Sequence, residues 1–100
     1  MHKDDHDRLA EEAYTALEEG RLLHRRFETL SVDALAAWYR WDAVMWSQNP
    51  DPAPQALFWA VVAEREAMRI KAVEVEKQGM TLLAQWADDE ERMGADECSG

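Results

Sequence analysis

Apolar and small residues in the first third of the chain recur at alternating intervals of four and three positions. This heptad spacing predicts an α-helix that buries one stripe against a partner helix. The stripe consists of Leu9, Ala13, Ala16, Gly20, Leu23, Phe27 and Leu30. Because Ala13, Ala16 and Gly20 are small, a second helix could approach closely there. We therefore predict that the residues from Leu9 to Phe27 form a seam between helices, within one chain or in a dimer.

The stripe continues beyond Leu30 at helical intervals, through Ala34, Trp38, Trp41 and Met45. Ser31 and Asp33 could cap a new helix, but neither glycine nor proline forces a break in this stretch. The pattern thus predicts one helical arm over residues 5–48, either unbroken or interrupted near Ser31.

The segment 49–54, with the sequence NPDPAP, predicts a sharp turn. Pro50 ends the first arm, because the residue before a proline is pushed out of the helical region. Asp51 is placed to cap the next helix, with Pro52 at the first helical position, where its missing N–H costs nothing.

A second helical arm is predicted over residues 53–91. Its main stripe is Leu57, Val61, Glu64, Met68, Ala72, Val75, Gly79, Leu82 and Trp86. The step from Met68 to Ala72 interrupts the heptad pattern and predicts a local relaxation of the supercoil. A second apolar strip lies outside the stripe and is formed by Phe58, Val62, Val73 and Met80, with Trp59 and Ile70 beyond it.

Two arms of similar length joined by a proline turn predict an all-α fold, a long antiparallel helical hairpin within a single domain over residues 1–92. Two helices share only one seam, which is a thin core. We therefore expect another helical surface to bury the extra apolar strip. Dimerisation of two hairpins into a helical bundle supplies one; folding of the first arm at Ser31 into a three-helix bundle supplies another.

The net charge of −10 narrows the choice of partners. Nucleic-acid binding and adhesion to anionic membranes both depend on clustered Lys and Arg, so we expect neither. Half of the charge excess lies in residues 76–100, and residues 93–100 are predicted to form a flexible acidic tail. Cys98 is the only cysteine, which excludes an intrachain disulfide and favours a cytoplasmic location.

Candidate chemistry is sparse. His24, Asp42 and Glu64 lie on or beside apolar stripes and could converge on a metal ion, but the Glu-x-x-His pairs of di-iron bundles are absent from the sequence. Two histidines four apart in HKDDH (2–6) are a weak metal pattern, and a frayed first turn is the preferred interpretation. We expect no enzyme activity, no metal and no cofactor.

Aromatic residues cluster around the turn. Four of the five tryptophans lie within residues 38–59, and tryptophan is enriched at interaction hot spots. The predicted partner-binding residues are Trp38, Trp41, Asp42, Trp46, Phe58 and Trp59. Of these, Trp59 is predicted to be the exposed ring, since it points away from the main stripe of its helix.

The plan of about 100 residues, a helical hairpin and a tryptophan just before the turn is similar to that of the WXG100 secreted proteins. The corresponding residues are Trp46, Ser47 and Gln48, so the glycine that names the family is missing. Trp86 followed by Glu90 is a loose counterpart of the family's aromatic–acidic tail signal. The resemblance implies a secreted helical hairpin.

These observations favour a non-enzymatic interaction module, a small acidic adaptor or inhibitor that docks on a larger protein. One alternative is an acidic mimic of nucleic acid that inhibits a DNA- or RNA-handling defence protein, as some anti-CRISPR proteins of mobile elements do. The remaining alternatives are a WXG100-like secreted hairpin and a metal-binding bundle.

Overall fold

A computed structural model describes the backbone of residues 3–99 and the side chains of residues 3–94. It contains two α-helices, α1 over Lys3–Met45 and α2 over Ala53–Ser99, and no strand within the described residues. The helices pack against each other as a helical hairpin, which confirms the predicted all-α fold. Neither helix is both long enough and apolar enough over the described range to cross a membrane.

Helix α1 runs through Ser31 without interruption. The Ser31 hydroxyl donates to the backbone carbonyl of Phe27, four residues earlier, at 2.9 Å. A serine bonded in this way stays inside a helix and does not cap a new one. Of the two predicted alternatives, the unbroken first arm is therefore confirmed, and the break near Ser31 with its three-helix bundle is wrong.

The turn is longer than predicted, because α1 ends at Met45 and residues 46–52 are not helical. Asp51 caps α2 as its position predicts: its Oδ1 accepts the backbone N–H of Ala53 at 3.0 Å. Helix α2 extends to Ser99, beyond the predicted end at residue 91. Most of the flexible tail predicted for residues 93–100, including the side chain of Cys98, lies outside the described side chains.

A heptad of buried and half-buried positions runs along both helices, with further half-buried residues beside it, and it corrects the stripes read from the sequence. In α1, Ala37 is buried at 3% exposure, whereas Trp38 beside it is 41% exposed. In α2, Phe58 and Arg65 are half-buried while Leu57 and Glu64 are exposed. With Phe58 and Arg65 in place of Leu57 and Glu64, the step from Met68 to Ala72 fits the heptad. The predicted interruption of the heptad pattern is therefore wrong.

The chain divides into two compact units. We call residues 3–21 and 72–99 the terminal unit, and residues 22–71, which include the turn, the hairpin unit.

In the terminal unit, small residues let the two helices approach closely. Ala13, Ala16 and Ala72 are buried, and so are Gly20 and Gly79. A Cβ atom added at Gly79 would lie 2.9 Å from the side chain of Leu17 and 3.1 Å from its backbone nitrogen. Only glycine fits at this position without displacement of Leu17 on the opposite helix.

In the hairpin unit, the buried positions are Leu30, Ala34 and Ala37. Ser31 of α1 is bonded to Arg65 of α2, and Trp41 contacts Phe58. Later residues of α1 thus meet earlier residues of α2, so the helices of this unit run antiparallel.

Candidate functional site

Three aromatic rings form a cluster next to the turn of the hairpin unit. The Trp41 ring lies 5.4 Å from Phe58 and 6.3 Å from Trp59, and Phe58 and Trp59 are 5.1 Å apart in an edge-on arrangement. Trp41 and Phe58 are half-buried, but Trp59 is 54% exposed. Aromatic pairs in such geometries contribute about 0.5–1.5 kcal/mol beyond their area burial. The cluster therefore joins the two helices and also presents one ring to solvent.

An apolar groove of about 500 Å³ adjoins this cluster. It is lined by Ser31, Ala34, Leu35, Trp38, Phe58, Val62 and Arg65. Leu35 and Trp38 on its α1 wall are 55% and 41% exposed. Trp38 is additionally held edge-on against Tyr39, with ring centroids 5.2 Å apart. The groove is thus a largely apolar surface that the described chain leaves uncovered.

Arg65 is the one charged residue in the lining of this groove. Its Nε donates to the hydroxyl of Ser31 at 2.7 Å, and its guanidinium carbon lies 4.3 Å above the centroid of the Phe27 ring. The hydrogen bond and the cation–π contact fix the side chain across the interhelical seam. Arg65 is absent from the predicted stripe of α2 because the neighbouring Glu64 takes its place there.

The exposure of the tryptophans differs from the prediction. Trp46, in the turn, is 82% exposed, more than Trp59. Trp46 is the first residue after the end of α1 and belongs to the non-helical turn. Both tryptophans are therefore available at the surface of the hairpin unit, whereas the sequence singled out Trp59 alone.

The opposite side of the hairpin unit has a different character. A groove of about 270 Å³ is lined there by Asp33, Ala36, Ala37, Arg40, Leu57 and Val61. Two of its lining residues, Asp33 and Arg40, carry opposite charges. Its volume is about half that of the apolar groove. The aromatic side is thus the larger and less polar of the two surfaces.

Of the polar residues predicted on or beside the apolar stripes, Asp42 is half-buried, whereas His24 and Glu64 are exposed. Glu64 accepts a hydrogen bond from Arg26 at 3.4 Å. Within the described residues, no group of three or more His, Cys, Asp or Glu side chains is placed to hold a metal ion. His24, Asp42 and Glu64 do not converge on a common site.

The ion pair between Glu66 and Arg69 in the hairpin unit shifts the pKa of both side chains. Arg69 donates from Nε to both carboxylate oxygens of Glu66, at 3.0 and 3.1 Å. These hydrogen bonds hold the pKa of Glu66 below its ordinary value and raise the pKa of Arg69. Both side chains are about half exposed, so the pair is a surface feature.

The terminal unit contains a polar cluster that the sequence reading missed. His6 is 5% exposed, stacks on Trp86 with ring centroids 5.3 Å apart, and donates from Nε2 to Oε2 of Glu90 at 2.6 Å. The sequence had indicated a frayed first turn here. His6 nevertheless lies three positions before Leu9, so an extension of the heptad by one step would have placed it on the seam.

Two grooves on the terminal unit differ in chemistry. One, of about 220 Å³, is lined by Ala10, Ala13, Tyr14, Leu17, Leu83 and Trp86, none of which is charged. The other, of about 400 Å³, is lined by Glu11, Glu12, Thr15, Ala16, Glu19, Gln78 and Leu82. The unit therefore carries an apolar surface and an acidic surface.

Comparisons of the chain with family models, with curated proteins and with solved structures find no match. The likeness to the WXG100 proteins therefore rests on the layout of the hairpin, with Trp46 and Ser47 in the turn. The surfaces described above are the basis for a functional proposal.

Proposed function

We propose that the protein is a non-enzymatic interaction module, an adaptor or inhibitor that docks on a larger protein through the aromatic side of the hairpin unit. The observation that carries the proposal is the uncovered apolar groove between α1 and α2, with Leu35 and Trp38 exposed on one wall. The exposed rings of Trp46 and Trp59 extend this surface toward the turn.

The shape and lining of the groove favour an amphipathic helix of the partner as its occupant. A groove between two antiparallel helices accepts a third helix, whose apolar face inserts side chains between the walls. Arg65 favours a carboxylate on that helix, because its described hydrogen bond uses only Nε and a guanidinium has five N–H donors. Tryptophan anchors are typical of the small set of residues that dominate binding energy.

The chain, whose described residues form two packed helices, has more surface than a compact protein of the same mass, and this surface is available for an interaction. The chain exposes 7512 Å², whereas a compact protein of 11.5 kDa exposes about 5,800 Å². The surplus of about 1,700 Å² is roughly twice the 800 Å² that one partner buries in an interface of standard size. We propose that the interaction takes place in the cytoplasm, because a chain with one cysteine cannot form an internal disulfide and such chains are typical of reducing compartments.

The test is capture of a partner on the immobilised full-length chain, followed by affinity measurement with the purified partner. Leu35→Lys places a charge in the groove and should weaken binding by at least about tenfold. Val32→Lys is the matched control, since Val32 is on the same helix, is 68% exposed and does not line the groove. Equal binding by wild type, L35K and V32K would reject the groove as the docking site.

The aromatic extension is tested separately with Trp46→Ala and Trp59→Ala. Each ring should contribute on the order of tenfold to affinity if the partner also covers the turn. If both variants bind as wild type does, the docking surface is confined to the groove.

The acidic groove of the terminal unit favours a second candidate function. Glu11, Glu12 and Glu19 line one concave surface, and a row of carboxylates could imitate the phosphates of a nucleic acid toward a basic defence protein. Binding of this kind weakens steeply as salt is raised, whereas docking in the apolar groove does not. Affinity measured at low and at high salt distinguishes the two functions.

A further inference from the structure

The terminal unit has an apolar surface of its own, separate in sequence from the groove of the hairpin unit. We define the apolar face of the terminal unit as Ala10, Tyr14 and Leu17 on α1 with Val73, Met80 and Leu83 on α2. Tyr14, Val73 and Met80 are 71%, 49% and 54% exposed. At about 100° per residue, Val73 and Met80 lie on the same side of α2 as Leu83, which lines the apolar groove of this unit.

We propose that a second copy of this chain covers the apolar face of the terminal unit, so that two hairpins form a homodimer. The inference goes beyond docking at the hairpin unit and uses different residues. Its basis is the combination of this uncovered face with the surplus surface of the chain.

The area of exposed surface is sufficient for such a dimer. The surplus of about 1,700 Å² leaves room for an interface of about 800 Å² on each copy in addition to a docking groove of similar size. Burial within one chain is also incomplete, since no large side chain among residues 3–94 is fully buried. Small helical chains that cannot complete a core alone commonly do so by oligomerisation.

The distribution of charge favours a second copy on this face and disfavours it on the other. Each copy carries a net charge of −10, so contact through the acidic groove would bring Glu11, Glu12 and Glu19 of one copy close to like charges of the other. Contact through the apolar face leaves those carboxylates in solvent. In a twofold dimer the same patch meets itself, which suits an apolar surface and penalises a charged one.

The experiment is the measurement of molar mass by light scattering and sedimentation equilibrium on the full-length chain. Wild type should show twice the mass of one 11.5 kDa chain at micromolar concentrations. Met80→Glu should raise the dimer dissociation constant by on the order of a hundredfold, because the twofold axis buries the new carboxylate twice.

Thr81→Glu is the matched control, since it adds the same charge at the next, exposed position of α2, away from the apolar face. It should remain dimeric. Helical circular dichroism of each variant shows whether it is folded; if M80E loses its helical signal, Tyr14→Glu on the opposite helix of the unit replaces it.

A monomeric wild type up to about 100 µM, or a dimer that M80E and Y14E leave intact, would overturn the proposal; at such concentrations a stable homodimer is fully formed. A monomer that still captures a partner through the hairpin unit would leave the docking function standing. If the protein is a dimer but L35K captures the partner as well as wild type does, the homodimer is supported and docking in the groove is rejected.

Discussion

The two units of the hairpin achieve helix–helix contact by different means. In the terminal unit, Gly79 and Leu17 bring the two backbones close together, and a histidine is buried between the helices. In the hairpin unit, Trp41, Phe58 and Arg65 bridge the seam with large side chains. The difference shows that one heptad pattern can be satisfied by close approach or by large bridging groups.

The two kinds of helix–helix contact leave different apolar residues exposed. Close approach buries small residues, so the large side chains beside the seam, such as Tyr14 and Met80, are left exposed. Bridging by aromatic residues leaves the outer rings, such as Trp38 and Trp59, only partly covered. In both units, large apolar residues remain exposed outside the seam, and they are the basis of the two interaction proposals.

The largest effect is expected from a large side chain in the closely packed terminal unit. Ala72 is fully buried at 0% exposure, so Ala72→Leu must push the helices apart and should lower the free energy of unfolding by about 3 kcal/mol. Ala84→Leu, at an exposed position of α2, should change it by less than about 0.5 kcal/mol. Urea denaturation at fixed protein concentration measures both, and equal effects would mean that the helices do not approach closely.

In the hairpin unit the reverse substitution, large to small, is the destabilising one. Trp41→Ala removes the ring that contacts Phe58 and Trp59 and should cost about 2–3 kcal/mol, less than a fully buried tryptophan would. Trp46→Ala, which removes a ring that is 82% exposed, should have almost no effect on stability. A Trp41 variant as stable as wild type would contradict a structural role for the aromatic cluster.

The His6 cluster should stabilise the terminal unit locally. His6→Ala removes the stacking on Trp86 and the hydrogen bond to Glu90, and we expect a loss of about 1–2 kcal/mol. Amide hydrogen exchange should accelerate in the terminal unit more than in residues 22–71, because the lost contacts are local. Asp7→Ala, at the exposed neighbouring position, serves as control; an identical exchange pattern in both variants would refute the role of His6.

Substitution by alanine at the two seam glycines of the terminal unit should change the stability in opposite directions. Gly79→Ala brings a Cβ to 2.9 Å from Leu17 and should destabilise by about 1 kcal/mol, since the strain exceeds the gain in helix propensity. At Gly20 the nearest atom would be Cβ of Glu76 at 3.5 Å, an ordinary contact, so Gly20→Ala should stabilise by about 0.5–1 kcal/mol. Thermal unfolding measures both, and the same sign for the two variants would show that they do not differ in packing.

The smallest effect concerns the surface ion pair of the hairpin unit. Because Arg69 lowers the pKa of Glu66, the contribution of the pair is present above the ordinary pKa of a glutamate and is lost as the pH falls through the lowered value. Glu66→Gln should therefore reduce the stability slightly at neutral pH and leave it unchanged in acid. Equal differences from wild type at neutral and acidic pH would contradict this linkage.

Much of the fold could be predicted because it depends on local rules. The proline turn and the cap at Asp51 follow from the backbone preferences of a few adjacent residues. The helical periodicity required only the order of apolar residues. The register was harder to predict, because adjacent positions offer alternative stripes. The predicted stripes contain Trp38 in place of Ala37, Leu57 in place of Phe58 and Glu64 in place of Arg65.

The candidate site was predictable in part. The aromatic residues around the turn were identified from their density in the sequence, and Asp42 was placed among them. Arg65 and His6 were missed because polar side chains at seam positions depend on partners from the other helix, Ser31 and Phe27 for the first, Trp86 and Glu90 for the second. Those partners are distant in sequence, and the sequence alone gives no distance between them.

The sequence by itself determined that the chain is helical, where it reverses, and that its apolar residues exceed what one seam can bury. These properties follow from local backbone preferences and from composition. Only the tertiary structure decided which heptad positions meet, that Gly79 rather than Gly20 is sterically required, and that Trp46 is the most exposed of the aromatic rings. The physical reason is that burial depends on the neighbours supplied by the opposite helix, and their register is set by the packing of both helices together.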